Sequence, residues 1–340
     1  MICSKHFLRF VCMCALLKVI RAVVLSTAAS LGGAGAWAAD SVGCPASYMR
    51  MVIPQPAGGV GDLVGRVLGD KVAEILGQPM VIDNRPGATT SIGTAVVAAS
   101  KPDGCTLLNL TTSGVVASVM GVKLPYNLEK DFKPVVSVGS FPMALSVPME
   151  SGIHTFKDLV AAAKTPAGLN YSSGGPGTVA HLSSLRLLKA IDGKGIHVPY
   201  KGNAYALQGL LGGEVQFMFP TTAEALPLVQ GGKLRVLALA SEKRIDAFPN
   251  VPTLKELGFG DFTPKVWYAF LVPAATPAPT VTRLYDAFAK ALTDSTVQDR
   301  LTKLGFTPEL RDPARTREFI AAEASRWKKV VQENRVTNQD

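Results

Sequence analysis

The stretch Met51-Val-Ile-Pro-Gln-Pro-Ala-Gly-Gly-Val-Gly-Asp-Leu63 constrains this chain more than any other, because it reads as strand, glycine loop and helix in immediate succession. Met51, Val52 and Ile53 are apolar and β-prone, and Pro54 and Pro56 cannot donate to a ladder, so the strand must stop there. From Asp62 the apolar positions Val64, Val67, Leu68, Val72 and Ile75 recur at helical spacing, with Gly77 as the stop. Gly58, Gly59 and Gly61 therefore face a helix start. Backbone N–H groups there lack partners and the macrodipole is positive, so the turn suits an anion without any charged side chain. Two phosphate loops do not fit: a dinucleotide fingerprint counted from Gly59 and Gly61 meets Val64 at its third glycine, and no Gly-Lys-Ser/Thr follows for a P-loop. A glycine connection that only lets strand and helix pack closely stays open as a third reading.

Downstream, strand and helix alternate with short links. Strands are expected over 80–83 and 106–112, helices over 90–99 and just after Ser113-Gly114, and two β-segments over 135–139 and 143–147. Thr155-Phe-Lys-Asp158 reads as a capping box. A strand over 169–172 is followed by Ser173-Gly-Gly-Pro-Gly-Thr178 and a helix over 179–190, which repeats the opening arrangement and adds hydroxyls. Strands over 196–200, 215–219, 234–240 and 266–272 follow, with helices over 203–211, 222–229, 281–292, 297–304 and 315–331. This alternation predicts an α/β fold of two lobes, each a mainly parallel sheet flanked by helices, with crossovers near 138–147 and 262–267. Ligands bind beyond the carboxyl ends of such strands, and a cleft between lobes can hinge shut.

Composition narrows the class. The chain has 340 residues, 47% hydrophobic and 18% charged, which suits a packed globular protein rather than a disordered one. Lys5, Arg9, Lys18 and Arg21 precede or interrupt the first apolar runs, and Ala36-Trp37-Ala38 looks like a cleavage site, so residues 1–38 read as an export signal. Losing those four residues takes Lys+Arg from 35 to 31 against 26 acidic residues, and the formal charge from +9 to +5. No basic run interleaved with aromatics points to nucleic acid. Cys44 and Cys105 remain beyond the signal; in an oxidising compartment they can pair, and two separate thiols fit equally well.

Beyond residue 38 the histidines are His154, His181 and His197; none sits in H-E-x-x-H, and no Cys-x-x-Cys or G-x-S-x-G occurs, so neither a metal site nor a catalytic nucleophile is expected. His181 reads as a loop brace, His154 as a turn residue and His197 as a strand residue among apolar neighbours. Asp62 is expected to cap its own helix and turn away from an anion. Arg85 and Lys201 read as solvated or anion-pairing, and Tyr200 and Trp267 as cleft-lining or packing residues.

Pro54-Gln-Pro-Ala-Gly-Gly-Val-Gly-Asp62, Asn84-Arg-Pro-Gly-Ala88 with Ile92-Gly93, Lys101-Pro-Asp-Gly104 and Leu124-Pro-Tyr126 form an ordered series. It continues through Asp131-Phe132, His181-Leu182, Val198-Pro-Tyr-Lys-Gly202, Gly231-Gly-Lys-Leu-Arg235, Val251-Pro-Thr253 and Trp267. The series resembles the Bug family of extracytoplasmic solute receptors, the binding components of tripartite tricarboxylate transporters. The resemblance implies a periplasmic Venus-flytrap protein, monomeric and without cofactor, that binds a carboxylate or related metabolite for inner-membrane permease components. A sensor role is the alternative, and an enzyme acting on a small acid a more distant one. Lobe 1 would hold residues 39–142 and 265–340, and lobe 2 residues 143–264. By that similarity the ligand set is Gln55, Ala57, Gly58, Gly59, Val60, Gly61, Ser113, Gly114, Ser173, Gly174, Gly177, Thr178, Asn203 and Ala204. Gln55 stands where the family often has an aromatic, Val60-Gly61 replace a frequent hydroxyl-bearing pair, Thr89-Thr90 occupy a position that often contains glycine, and Cys105 replaces a usual Tyr.

Overall fold

β1 (Met49–Ile53) and α1 (Val60–Leu76) are the strand and helix that the opening stretch predicts. The computed structural model describes residues 44–260, 262–334 and 336, so the signal reading of residues 1–38 lies outside it. α1 buries Val64, Val67, Leu68 and Val72 against Met49, Met51 and Ile53 of β1. Each such side chain contributes about 1.5–3 kcal/mol. The helix ends at Gly77, whose left-handed φ of 65° lets its N–H reach the Ala73 and Glu74 carbonyls.

β2 (Met80–Asn84), α2 (Ser91–Ala98), β3 (Thr106–Thr111) and α3 (Thr112–Val119) follow. β1 lies between β2 and β3 and is parallel to both, with Met51 opposite Ile82 and Leu107. The loops after all three strands therefore share one edge.

β4 (Phe132–Pro148) is a single 17-residue strand where the sequence suggests two segments. Gly139 takes a φ of 141°, and register shifts at Pro134/Val136 and Ser137/Gly139 absorb the irregularity as bulges, so the chain bends without leaving the sheet. From Phe132 to Pro142 it pairs antiparallel with β9 (Lys265–Pro273), and from Met143 to Pro148 with β8 (Leu234–Ala240). β10 (Thr307–Arg311) also pairs with its first part and β7 (Phe217–Met218) with its second. One strand thus belongs to two sheets.

In the second sheet β5 (Leu169–Ser173) lies between β6 (Gly195–Pro199) and β7, parallel to both. Around them run α4 (Phe156–Ala163), α5 (Val179–Ala190), α6 (Asn203–Leu211) and α7 (Thr222–Gln230). The Thr155–Asp158 capping box at α4 forms as read from the sequence. Parallel pairing accompanies strand–helix alternation, and the strands that cross between sheets pair antiparallel, giving a mixed sheet.

α8 (Ala278–Thr293), α9 (Ser295–Thr302) and α10 (Pro313–Asn334) complete the chain. Two main cores result. One joins β1, α1 and α8; the other surrounds β5, α5 and α6 and also takes in Val116 of α3 and Trp327 and Val330 of α10. The carboxylate of Glu323, itself buried, accepts from the indole nitrogens of Trp267 and Trp327 at 2.8 and 3.1 Å. Trp267 is therefore a packing residue tied to α10.

Cys44 and Cys105 are joined by a disulfide with a Cα separation of 4.6 Å, which decides between the two readings of that pair. Among the described residues no helix is long and apolar enough to cross a membrane.

Candidate functional site

The loop between β1 and α1 is held by one carboxylate. Asp62 Oδ2 accepts from the Gly58 N–H and from Arg66 Nε, both at 2.9 Å, while Oδ1 accepts from Asn84 Nδ2 at 3.0 Å. Asn84 Nδ2 also reaches the Gln55 carbonyl at 3.1 Å, which fastens this loop to the end of β2. Burial alone would push the Asp62 carboxyl up, but the hydrogen bonds from Arg66, Gly58 and Asn84 outweigh it and hold the group below its ordinary value. Asp62 does not turn away from the glycine loop as expected but holds it, and the cap expected of it is not what forms. The N-cap is Gly59, without a side-chain cap, because the carboxylate reaches back to Gly58 instead.

This arrangement uses one loop amide and leaves others without an acceptor. Among the described residues none accepts from the N–H groups of Val60, Gly61 and Asp62, the first three of α1. The Gln55 amide packs on Gly61: a Cβ there would stand 1.7 Å from its Oε1, so any larger residue would displace that side chain. α3 begins in the same way, with Thr111 as an extended N-cap that makes no side-chain cap. Thr112 Oγ1, which donates to the Lys265 carbonyl and accepts from the Trp267 N–H, fixes this start against β9. Two uncapped helix N-termini thus sit at one sheet edge, each favourable to negative charge.

Polar atoms without partners gather at the same edge. The hydroxyls of Thr90 and Thr111 and the Oδ1 of Asn109 are buried with no hydrogen-bond partner among the described residues, although Asn109 Nδ2 donates to the Gly61 carbonyl at 3.0 Å. Asn109 and Thr111 were not singled out from the sequence, and Thr90 was noted only as standing where glycine is frequent. A signal existed for two of them: in Thr106-Leu-Leu-Asn-Leu-Thr111 the alternation puts Asn109 and Thr111 on the buried face that carries Leu107.

The corresponding loop of the second sheet is more self-contained. Ser173 Oγ accepts from the Gly175 N–H at 3.2 Å and lies 2.7 Å from His197 Nε2. The Gly177 N–H donates to His181 Nδ1 at 3.1 Å, and Thr178 Oγ1 donates to the Gly175 carbonyl while accepting from the His181 N–H. The two imidazoles stack with centroids 3.9 Å apart, and Tyr171 stacks on both. His181 is the brace expected of it; the part played by His197 was not foreseen. α6 offers a third uncapped start, with Gly202 as N-cap and Asn203 and Ala204 as its first residues. Asn203 Nδ2 donates to Glu224 Oε1 at 3.0 Å.

The residues proposed from sequence divide by exposure. Gly61, Gly114, Ser173 and Gly177 are buried; Gln55, Val60, Ser113, Gly174, Thr178 and Asn203 are partly buried; Ala57, Gly58, Gly59 and Ala204 are exposed. Two contacts draw them together. A Cβ on Gly174 would meet Asn203 Oδ1 at 2.5 Å, and one on Gly177 would meet Met120 Sδ at 2.3 Å, with Val116 at 3.7 Å. α3 therefore carries Ser113 and Gly114 at its start and, through Val116 and the following Met120, packs on the loop of the second sheet.

Other candidates lie elsewhere. Tyr200 directs its hydroxyl to Glu214, whose carboxylate, with burial, pushes the phenol up to about 12. Arg85 pairs with Asp83, and His154 is exposed beside Arg235. Among the described residues no three His, Cys, Asp or Glu side chains gather as a metal set.

The tripartite tricarboxylate transporter family receptor model matches residues 64–336. BugT of Bordetella pertussis is 35% identical over 293 residues, covering 85% of this chain and 90% of that protein. MatC from Rhodopseudomonas palustris, solved with bound malate, aligns with a TM-score of 0.77 and 31% identity over 84% of this chain and 99% of its own. A second Rhodopseudomonas palustris protein, solved with adipate, aligns with a TM-score of 0.80 and 29% identity over 86% and 99%.

Proposed function

This chain belongs to the tripartite tricarboxylate transporter receptor family, and from that premise we propose that it captures a small di- or tricarboxylate for uptake by membrane permease components. The observation that carries the reading is the set of unmatched donors at the starts of α1 and α3, beside the buried hydroxyls of Thr90 and Thr111. Related receptors hold malate and adipate, both dicarboxylates. Lobe 1 is residues 39–142 and 265–340, lobe 2 residues 143–264, and the hinge runs through β4 at Pro142/Met143, where its pairing changes from β9 to β8. The ligand set is the fourteen residues read from the sequence, with the amide of Gly58 engaged by Asp62 rather than by the ligand. The family's receptors are periplasmic and bind solutes. For this chain the export signal is cut after Ala38, and the mature protein acts as a monomer.

Magnitudes agree with reversible capture. Hydrogen bonds to a charged group contribute about 1.5–3 kcal/mol each, so four give roughly 6–12 kcal/mol. Association costs remove about 4 kcal/mol or more, which leaves affinity near the micromolar range when closure excludes water. Calorimetry of the mature protein against di- and tricarboxylates, aromatic acids and amino acids should find a dicarboxylate or tricarboxylate as the tightest binder. Binding of none of the acids, or preference for a cation, would contradict the reading.

A further inference from the structure

Three consecutive non-glycine residues, Ala88, Thr89 and Thr90, adopt left-handed backbone with φ of 44°, 47° and 77°. That region penalises L side chains, and a β-branched one most. Thr90 carries a second cost, because its Oγ1 is buried, the residue being 9% exposed, and has no partner among the described residues. As N-cap of α2 it makes no cap either; its carbonyl takes the Thr94 hydroxyl while its own hydroxyl is left out. That hydroxyl faces the start of α3: a Cβ built on Gly114 would stand 3.3 Å from it. Thr111, the N-cap of α3 and 3% exposed, holds a second unpartnered hydroxyl. Glycine at position 90 would relieve the backbone cost, and valine would remove the hydroxyl cost without changing the shape. A threonine that incurs both is accounted for when its hydroxyl is matched only in the bound state.

The geometry points to Thr90 as a ligand-contacting, specificity-determining residue, whose hydroxyl donates to an oxygen of the anion held at the start of α3. This rests on the carboxylate reading above and adds a residue from the loop after β2 to the fourteen. The sequence identifies the position as unusual but gives no sign of a left-handed backbone there.

Thr90→Val, Thr90→Ser and Thr90→Gly in the full mature protein test it, with malate and adipate as probes, by thermal melts without ligand and calorimetry with each. Thr90→Val and Thr90→Gly should melt no lower than wild type in the absence of ligand. Their affinity for the acid that wild type binds should fall roughly ten- to a hundredfold, the loss expected of one hydrogen bond to a charge. Thr90→Ser should stay within a few fold of wild type. A lower melting temperature for Thr90→Val means that the hydroxyl is matched inside the protein and overturns the inference. Unchanged affinity in Thr90→Val also overturns it while leaving the carboxylate reading intact. Failure of wild type to bind either acid strikes that reading first and takes this inference with it.

Discussion

Replacing Cys44 and Cys105 by serine together is expected to lower the unfolding free energy by about 4 kcal/mol and the melting temperature by on the order of 10 °C. The bridge closes a sequence separation of 61 residues that includes α1, β2 and α2, and its effect lies mainly in the unfolded chain, which gains freedom when the loop opens. Its position separates stability from binding. Cys44 precedes β1 and Cys105 precedes β3, and these strands are parallel neighbours with Arg50 opposite Thr106, so the bridge staples their amino ends. The loops of the site leave the carboxyl ends. Reduction or the double substitution should therefore leave carboxylate affinity within a few fold of wild type while the melt shifts. Equal melts for oxidised and reduced protein, followed by denaturation with a fluorescence probe, would show that the pair contributes nothing.

Asp62→Ala is expected to act on both quantities. The residue is 4% exposed and its carboxylate gathers the Gly58 N–H, Arg66 and Asn84, so its removal loses three hydrogen bonds to a charged group whose donors can turn to water, at about 1–3 kcal/mol. It also frees the glycine loop in front of α1, and affinity should fall more than about tenfold as those amides lose their fixed direction. Arg66→Ala is the control: that guanidinium is half exposed, and its loss should cost about 0–1 kcal/mol. The pH dependence has a definite sign. Because the Asp62 carboxyl is held below its ordinary value in the folded protein, its stabilisation is complete above the unfolded value near 4 and is lost as pH falls through the lower folded value. Stability curves of wild type and Asp62→Ala should stay parallel from about pH 5 to 8 and converge only in stronger acid. A variant that loses stability but binds normally would show that Asp62 supports the helix and not the loop.

The sequence was readable where local chemistry decides the outcome. The helix Val179–Ala190 lies where periodicity puts it, with Thr178 accepting from the His181 N–H, and the Thr155–Asp158 box forms as spelled. Gly77 closes α1 because only a residue without Cβ takes that turn cheaply. The rest depended on partners distant in the chain. β10, Thr-Pro-Glu-Leu-Arg, is exposed in all but its last residue and has no apolar alternation, so only pairing with β4 makes it a strand. Gly139 and Pro142 looked like a break in β4, and pairing with β9 carried the strand through both. In the site, the glycine loop before α1 and the 173–178 loop were legible as backbone donors, and the starts of α3 and α6 entered through the family resemblance. Whether a given donor is already engaged was not: Gly58 and Gly177 spend theirs on Asp62 and His181, a fact of side-chain placement. The Tyr171, His181 and His197 stack needs β5, α5 and β6 in register, which spacing alone does not give.

A crystal structure of the mature protein with the acid that binds it most tightly is the most direct test of the account. One carboxylate should accept from N–H groups at the start of α1 or α3 at about 2.7–3.2 Å, with the 173–178 loop closing over the other end. A ligand seated away from those helix starts, or amides there satisfied by protein groups while the ligand is bound, would contradict it.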